Sequence, residues 1–548
     1  MTTTFEPPDI TLAGIEAADR GPDRGAAIDL AIAAMGRGIE APLVLRLVAE
    51  GLEEDGRPRD AAGLLERSTA AAPGDARGWA QYGRVLLAVG QPVEARIAHA
   101  NALRIEPDLY DAHIGAGMVA LRLGEVASSR AHYARAAELM PAEGEPLSAL
   151  AVIAARQGDA KAARDFARRA LALNPDFISA QIAVARADIM EGAPEAAEGQ
   201  LTRLLARPDL SDDHRADCLS YLADALDALG RPAEAFAMYA ATNARLERIN
   251  AAPLKAALRE TTLDQARRLG AWFEAAPNAA WATSPGRDDE GARTVAGHVF
   301  LMGFPRSGTT LLEQVLASHP GVVAIEERGM LSEAAGHFLR SASALERLAR
   351  ITPAGAKACR EVYWRGVRGV LGEDVSDKVF IDKLPLHTVA LPLIAKLFPD
   401  ARILFAIRDP RDVALSCFRR RFRINAAMSE FLTLEGTARY YDAVMALAEI
   451  YRAKLPLTVH TVHHEALVAD FEGKARAALE FIGVDWNPSV HGFAERARAG
   501  ANTPSAAQLS RGLNADGVGA WRRYALQLAP ILPMLEPWVE RFGYPPGD

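Results

Sequence analysis

Two regimes of apolar patterning divide the chain. From about residue 25 to residue 250 the background is rich in Ala, Arg, Leu and Glu, a mixture that predicts helices. Beyond residue 295 the apolar residues gather in short runs. His298-Val-Phe-Leu-Met302 and Arg402-Ile-Leu-Phe-Ala-Ile407 each read as a buried strand, and Leu311 to Ser318 reads as an amphipathic helix after the first. The polar, turn-rich stretch Ser284 to Glu290 separates the regimes. The pattern predicts a multidomain chain: an all-α array over 25–250, a connecting helix and linker over 251–295, and an α/β domain over 296–548.

The helical half has an internal period. Gly56, Gly90, Gly124, Gly158 and Gly192 stand 34 residues apart, as do Pro73, Pro107, Pro141 and Pro175. A small residue follows each glycine five positions on: Ala61, Ala95, Ser129, Ala163 and Ala197. The glycine permits the left-handed turn that ends one helix, the small residue lets the next helix approach, and the proline closes the unit. Gly74 to Pro107, with Trp79, Tyr82 and Gly83, is the clearest unit and resembles the tetratricopeptide repeat. About six units fit between residues 40 and 250, the last one shifted by four at Gly230 and Ala235, with Gly25 to Ala34 as a capping helix. The resemblance implies a solenoid, whose concave face either presents a peptide or acceptor substrate or serves as scaffold and homodimer contact.

Composition narrows the function classes. The 548 residues carry 62 Lys and Arg against 70 Asp and Glu, a net charge of -8, so nothing global suggests a nucleic-acid or anionic-membrane binder. Three scattered cysteines, Cys218, Cys359 and Cys417, support neither a disulfide framework nor a zinc site, and no metal is expected. No apolar run approaches the ~18 residues of a membrane span. The start, MTTTFEPPDI, lacks the basic and apolar regions of a signal peptide, so a cytoplasmic location is expected.

Chemistry enters with Gly303-Phe-Pro-Arg-Ser-Gly-Thr-Thr310, between the first strand and its helix. Strand, glycine-bounded loop and helix make a phosphate cradle, because backbone N–H groups and the positive helix end face the anion. Against the pattern G-x-x-x-x-G-K-[ST], Gly303, Gly308 and Thr310 match, but Thr309 holds the lysine position. That argues against a nucleoside triphosphate as donor, while Arg306 supplies a cation within the loop. Arg408 ends the second strand, where ligands bind in open α/β sheets, and Ser416 lies two helical turns on. The run Arg419, Arg420, Arg421 and Arg423 is either a solvated face or part of a second anion site.

These two elements in this order resemble the sulfotransferases that use 3′-phosphoadenosine 5′-phosphosulfate (PAPS), over about residues 296–545. The resemblance implies a P-loop-like α/β fold with a central parallel sheet. It implies that Arg306, Ser307, Gly308, Thr309 and Thr310 hold the 5′-phosphosulfate, and that Arg408, Ser416 and Arg420 serve the 3′-phosphate. Finer matches are similar to the tyrosylprotein sulfotransferase branch and its repeat-bearing bacterial relatives. They put the general base on Glu327, with Glu326 as fallback, the catalytic lysine on Lys383 within Asp382-Lys-Leu-Pro385, and a sulfate-contacting serine on Ser505. The cofactor-binding run is Ser505 to Asn514, before Trp521. Two positions depart: His464, after His463 and before Glu465, replaces a nucleotide-stacking tyrosine, and Ala520 replaces a lysine, with Arg522 and Arg523 as nearby substitutes. The implied reaction moves a sulfuryl group from PAPS, releasing PAP, to a hydroxyl on a peptide tyrosine, a glycan or a small alcohol. A P-loop kinase and a non-catalytic repeat scaffold are the alternatives.

Overall fold

The structure is a computed structural model that describes residues 11–257, 259–278, 281, 295–372, 375–499, 513 and 515–546. It has two compact units, Met1–Ala187 and Asp188–Asp548.

The first unit is built of antiparallel helix pairs, among them Pro42–Glu54 with Pro58–Ala71, Ala76–Ala88 with Pro92–Ile105, and Tyr110–Leu123 with Val126–Leu139. The periodic residues do what their chemistry suggests. Gly56, Gly90, Gly124 and Gly158 take φ values from 71° to 84°, so each turn needs a residue tolerant of the left-handed region. Ala61, Ala95, Ser129 and Ala163 are completely buried where paired helices meet. The helices stop at Ala71, Ile105 and Leu139, two residues before Pro73, Pro107 and Pro141.

One buried side chain makes this unit acid-sensitive. The His99 ring lies against Gly83 and Gly115, where an added Cβ would sit 2.6 Å and 2.1 Å from it, and neither ring nitrogen has a hydrogen-bond partner. Burial, helped by His132 and Arg84, pushes its pKa down to about 4 from 6.5. The stability due to a neutral His99 is therefore complete above pH 6.5 and is lost as pH falls toward 4, by about 3 kcal/mol. Unfolding followed across that range should show the slope in the native chain and a shallower one in His99→Leu. Equal slopes would refute it.

The second unit begins with the helices Pro194–Leu205, Asp212–Ala228 and Pro232–Ala257. The repeat pattern continues through them: Gly192 and Gly230 have φ of 80° and 73°, and Ala197 and Ala235 are fully buried. Although sequence periodicity groups these helices with the array up to residue 250, they pack within the α/β unit. Phe236 stacks on Phe418 at 5.1 Å, Asn243 Nδ2 donates to the Phe418 carbonyl at 3.0 Å, and Arg421 pairs with Asp217. The helix Thr262–Ala275 packs along Leu434–Lys454.

The α/β core is a five-stranded, all-parallel sheet of β1 (Gly297–Gly303), β2 (Val322–Glu326), β3 (Val379–Lys383), β4 (Arg402–Ile407) and β5 (Thr458–His463), in the order β2-β3-β1-β4-β5. Val299, Leu301, Ile381 and Leu404 join the helix Thr309–Ala317 and the helix Phe471–Ile482 in one apolar cluster. Parallel strands need such cover, which explains their nearly unbroken apolar runs. From β1 the chain crosses toward β2, and from β4 toward β5. The connections diverge between β1 and β4, and this switch point opens a crevice at the carboxyl ends of the strands.

Candidate active site

At that crevice lies a cavity of about 550 Å³, lined by Arg306, Gly308, Thr309, Thr310, Glu327, Arg408, Ser416, Arg420 and His464, among others. The loop after β1 is shaped by close approach. Gly303 has φ 155°, and a Cβ there would lie 2.4 Å from the Ala406 carbonyl oxygen. Gly308 has φ 97°, and its Cβ would lie 2.7 Å from His464 Nδ1. Among the described residues the non-glycine positions with positive φ are Arg306, at 71°, and Glu327, at 49°. Such conformations are uncommon and persist where surrounding contacts fix them. At Glu327 the backbone N–H donates to the Lys383 carbonyl at 2.7 Å.

The two anion elements meet. Arg306 Nε donates to Ser416 Oγ at 3.0 Å, and Arg408 Nη1 donates to the Arg306 carbonyl at 3.3 Å. Arg408 Nη2 also donates to the Gly517 carbonyl. Burial, with Arg420 and Arg408 close by, pushes the Arg306 guanidinium down to about 9. Like charges held this close in a buried place favour an anion between them. Three buried polar atoms around the loop have no hydrogen-bond partner among the described residues: Ser307 Oγ, Arg408 Nε and His464 Nδ1. Burial, then Arg408 and Arg306, push His464 down to about 3, so its ring is neutral.

The arginine run splits by role. Arg421 pairs with Asp217 and Asp213, while Arg419, Arg420 and Arg423 line the cavity, Arg419 also pairing with Asp227. Asp412 accepts from the backbone N–H groups of Gly519 and Trp521 at 2.7 and 2.8 Å, and Arg411 lies over the Trp521 ring at 4.1 Å. These contacts dock the segment carrying Ala520 at the cavity edge. Arg523 lines the cavity there, whereas Arg522 lies over Trp521 at 5.2 Å. His463 instead faces Tyr544, at 3.4 Å. Ser505 and Asn514 lie outside the described residues.

Beside the loop, the fully buried Lys383 Nζ donates to Glu326 Oε1 at 2.9 Å, Glu327 Oε1 at 3.1 Å and Thr310 Oγ1 at 3.5 Å. β-Pairing sets this up, since Glu326 is in register with Lys383 on the neighbouring strand. Burial opposes the ammonium charge, but Glu327, Glu326 and Glu313 outweigh it and hold the lysine above its usual range. The Glu327 side chain is 42% exposed and Glu326 only 16%, so Glu327 is the carboxylate a solvent-borne hydroxyl can reach. Glu313, on the loop's own helix, is a buried carboxyl that sequence reasoning missed. Burial pushes its pKa up, and Gln314 Nε2 donates to it at 2.9 Å. Behind Lys383, Asp382 accepts from Tyr363 and His387, each at 2.9 Å, and fixes the turn that supplies Leu384, Pro385 and Leu386 to the cavity wall.

Comparison with known proteins agrees with this geometry. Residues 298–488 match the model of the sulfotransferase family. An uncharacterized protein of Aquifex aeolicus (strain VF5) is 25% identical over 256 residues, which cover 45% of this chain and 33% of that protein. Protein-tyrosine sulfotransferase 1 of Danio rerio is 26% identical over 269 residues, covering 45% of this chain and 72% of the relative. The chain thus spans a third of the first relative's length and most of the second's. Among solved structures, PilW, a type IV pilus biogenesis factor, aligns with 37% of this chain and 92% of its own at 21% identity and a TM-score of 0.33. Helical repeats thus precede an α/β domain whose residues 298–488 are similar to the sulfotransferase family. Among the described residues, no helix is long and apolar enough to cross a membrane, and no cluster of His, Cys, Asp and Glu is suited to a metal.

Proposed function

We propose that the chain is a PAPS-dependent sulfotransferase acting on an acceptor hydroxyl, of which a peptide tyrosine is one. The observation that carries this reading is the cavity itself. Crowded guanidiniums and three unpartnered buried polar atoms surround a glycine-bounded loop, and a lysine–glutamate pair stands beside them. These residues fit a donor with two anionic groups. Ser307, Gly308, Thr309 and Thr310, with Arg306, would hold the phosphosulfate end, and Arg408, Ser416 and Arg420 the 3′-phosphate. His464 would contact the nucleotide, with Arg523 standing nearest the position of the absent lysine.

When bound, PAPS supplies a sulfuryl group on a good leaving group. Glu327 takes the proton from the acceptor hydroxyl. Lys383 Nζ, 3.1 Å from Glu327 Oε1, orients this carboxylate toward the cavity. Lys383 and Arg306 stabilise negative charge as it develops on the departing oxygen.

Ligand-dependent thermal unfolding tests the donor. A ligand that binds only the native chain raises its stability, by about 2.7 kcal/mol at a hundredfold excess over Kd. PAP should raise the unfolding temperature clearly and ATP with magnesium much less, because Thr309 stands where a triphosphate enzyme has lysine. Equal shifts, or magnesium-dependent ATP turnover, would point to the kinase reading instead. A labelled-sulfate transfer screen against peptides, glycans and phenols then identifies the acceptor.

A further inference from the structure

One carboxylate at the cavity edge comes from the repeat-patterned helices. Asp227 stands near the end of the helix Asp212–Ala228, just before the turn at Gly230, and lines the cavity. Its Oδ1 accepts from the Tyr524 hydroxyl at 2.7 Å and lies 3.0 Å from Arg523 Nη1. Its Oδ2 accepts from Arg419 Nη2. Arg419 also donates to the Tyr239 hydroxyl at 3.2 Å and lies over the Tyr239 ring at 5.1 Å and the Tyr524 ring at 5.2 Å. The Tyr239 hydroxyl donates in turn to Asp224 at 2.7 Å.

Arg419 closes the helix Pro410–Arg419, three residues after Ser416 and one before Arg420, and both of these line the cavity. We propose that Asp227 is a positioning residue of the anion site: by clamping Arg419 and Arg523 it fixes the end of this helix, and with it where Ser416 and Arg420 meet the ligand. The clamp also sorts the charges. Arg419 is spent on Asp227, leaving Arg420 facing the cavity with no carboxylate partner among the described residues. Without Asp227, a guanidinium only 18% exposed loses its paired carboxylate. The helix end then gains by shifting Arg419 toward water, which takes Ser416 away from Arg306 Nε. The last repeat-patterned helices thereby belong to the machinery of the donor site. This inference rests on reading the cavity as the donor's anion site.

The test uses the full chain with PAP as probe, measured by calorimetry, and sulfate transfer with varied PAPS. Asp227→Asn should weaken PAP about tenfold and raise KM for PAPS to match, the loss of one charge-assisted contact, while kcat at saturation stays within about threefold. Asp227→Glu should restore part of the affinity. Tyr239→Phe, which removes one hydroxyl and keeps the ring, should weaken PAP about threefold and guards against an Asp227 variant that fails to fold. Native PAP affinity in Asp227→Asn, or in Tyr239→Phe if the former is unfolded, overturns the proposal, as does a fall in kcat with KM unchanged. A native chain that binds no PAP overturns the donor reading and this proposal together, which separates the two failures.

Discussion

Replacing Lys383 by methionine should lower kcat/KM by about 2–4 kcal/mol of transition-state stabilisation, or roughly 30- to 1,000-fold. The ammonium is fully buried, and its donors are committed to Glu326, Glu327 and Thr310 at 2.9 to 3.5 Å. On the proposed reading it is held rigidly where negative charge would develop, and needs little reorganisation to act. Methionine fills a similar volume without the charge, so PAP affinity, which rests on the arginines, should fall much less than turnover. The change also removes the cation that holds down the buried Glu313 carboxyl, which burial already pushes up to about 7. Such a loss costs about 3–5 kcal/mol when the remaining charge stays ionised, but Glu313 escapes much of it by taking up a proton. Stability should therefore fall less at pH 5 than at pH 8, the reverse of a simple packing defect. Near-native turnover in folded Lys383→Met would remove the lysine from the reaction.

What could be read from the chain alone follows from how local each signal is. The loop from Gly303 to Thr310 was legible because a strand, two glycines at fixed spacing and a helix are neighbours in sequence. The turns at Gly56 through Gly192 were legible because a repeated steric need leaves a repeated residue. The fold, repeats followed by a parallel α/β domain, came from these local signals. Contacts between distant segments leave no such trace. Nothing in spacing reveals that Arg306 and Ser416, 110 residues apart, share a hydrogen bond, so two elements read separately lie side by side. Nor does it show that Lys383 is shared between both glutamates. Glu313 reads as one more charge on an amphipathic helix until burial shows otherwise. The arginines from Arg419 to Arg423 read as a single basic run, yet each takes its role from what faces it. The helices up to Ala257 carry the repeat signature, while Asp227, Tyr239 and Asn243 tie them to the α/β unit through polar contacts with no periodicity.

Glu327→Gln separates binding from chemistry more cleanly than any other substitution in the cavity. Glutamine keeps the shape, and its carbonyl oxygen can still accept from Lys383 Nζ, so the backbone at φ 49° and the loop beside it should persist. PAP affinity should stay within about threefold, since no basic residue of the anion site is touched. Transfer should fall by about 10²-fold or more, the usual worth of a positioned general base. The pH profile carries a second signature. If Glu327 is the base, the pH–rate profile of the residual activity in Glu327→Gln should differ in shape from that of the native chain. The matching change at Glu326 is the control. That carboxylate is the more buried of the two, at 16% against 42% exposure, so Glu326→Gln should disturb Lys383 without abolishing proton removal. Its kcat should fall less than that of Glu327→Gln, and its pH–rate profile should keep the native shape. The opposite ranking would move the base to Glu326, and native turnover in both variants would leave the acceptor's proton to a group outside this pair.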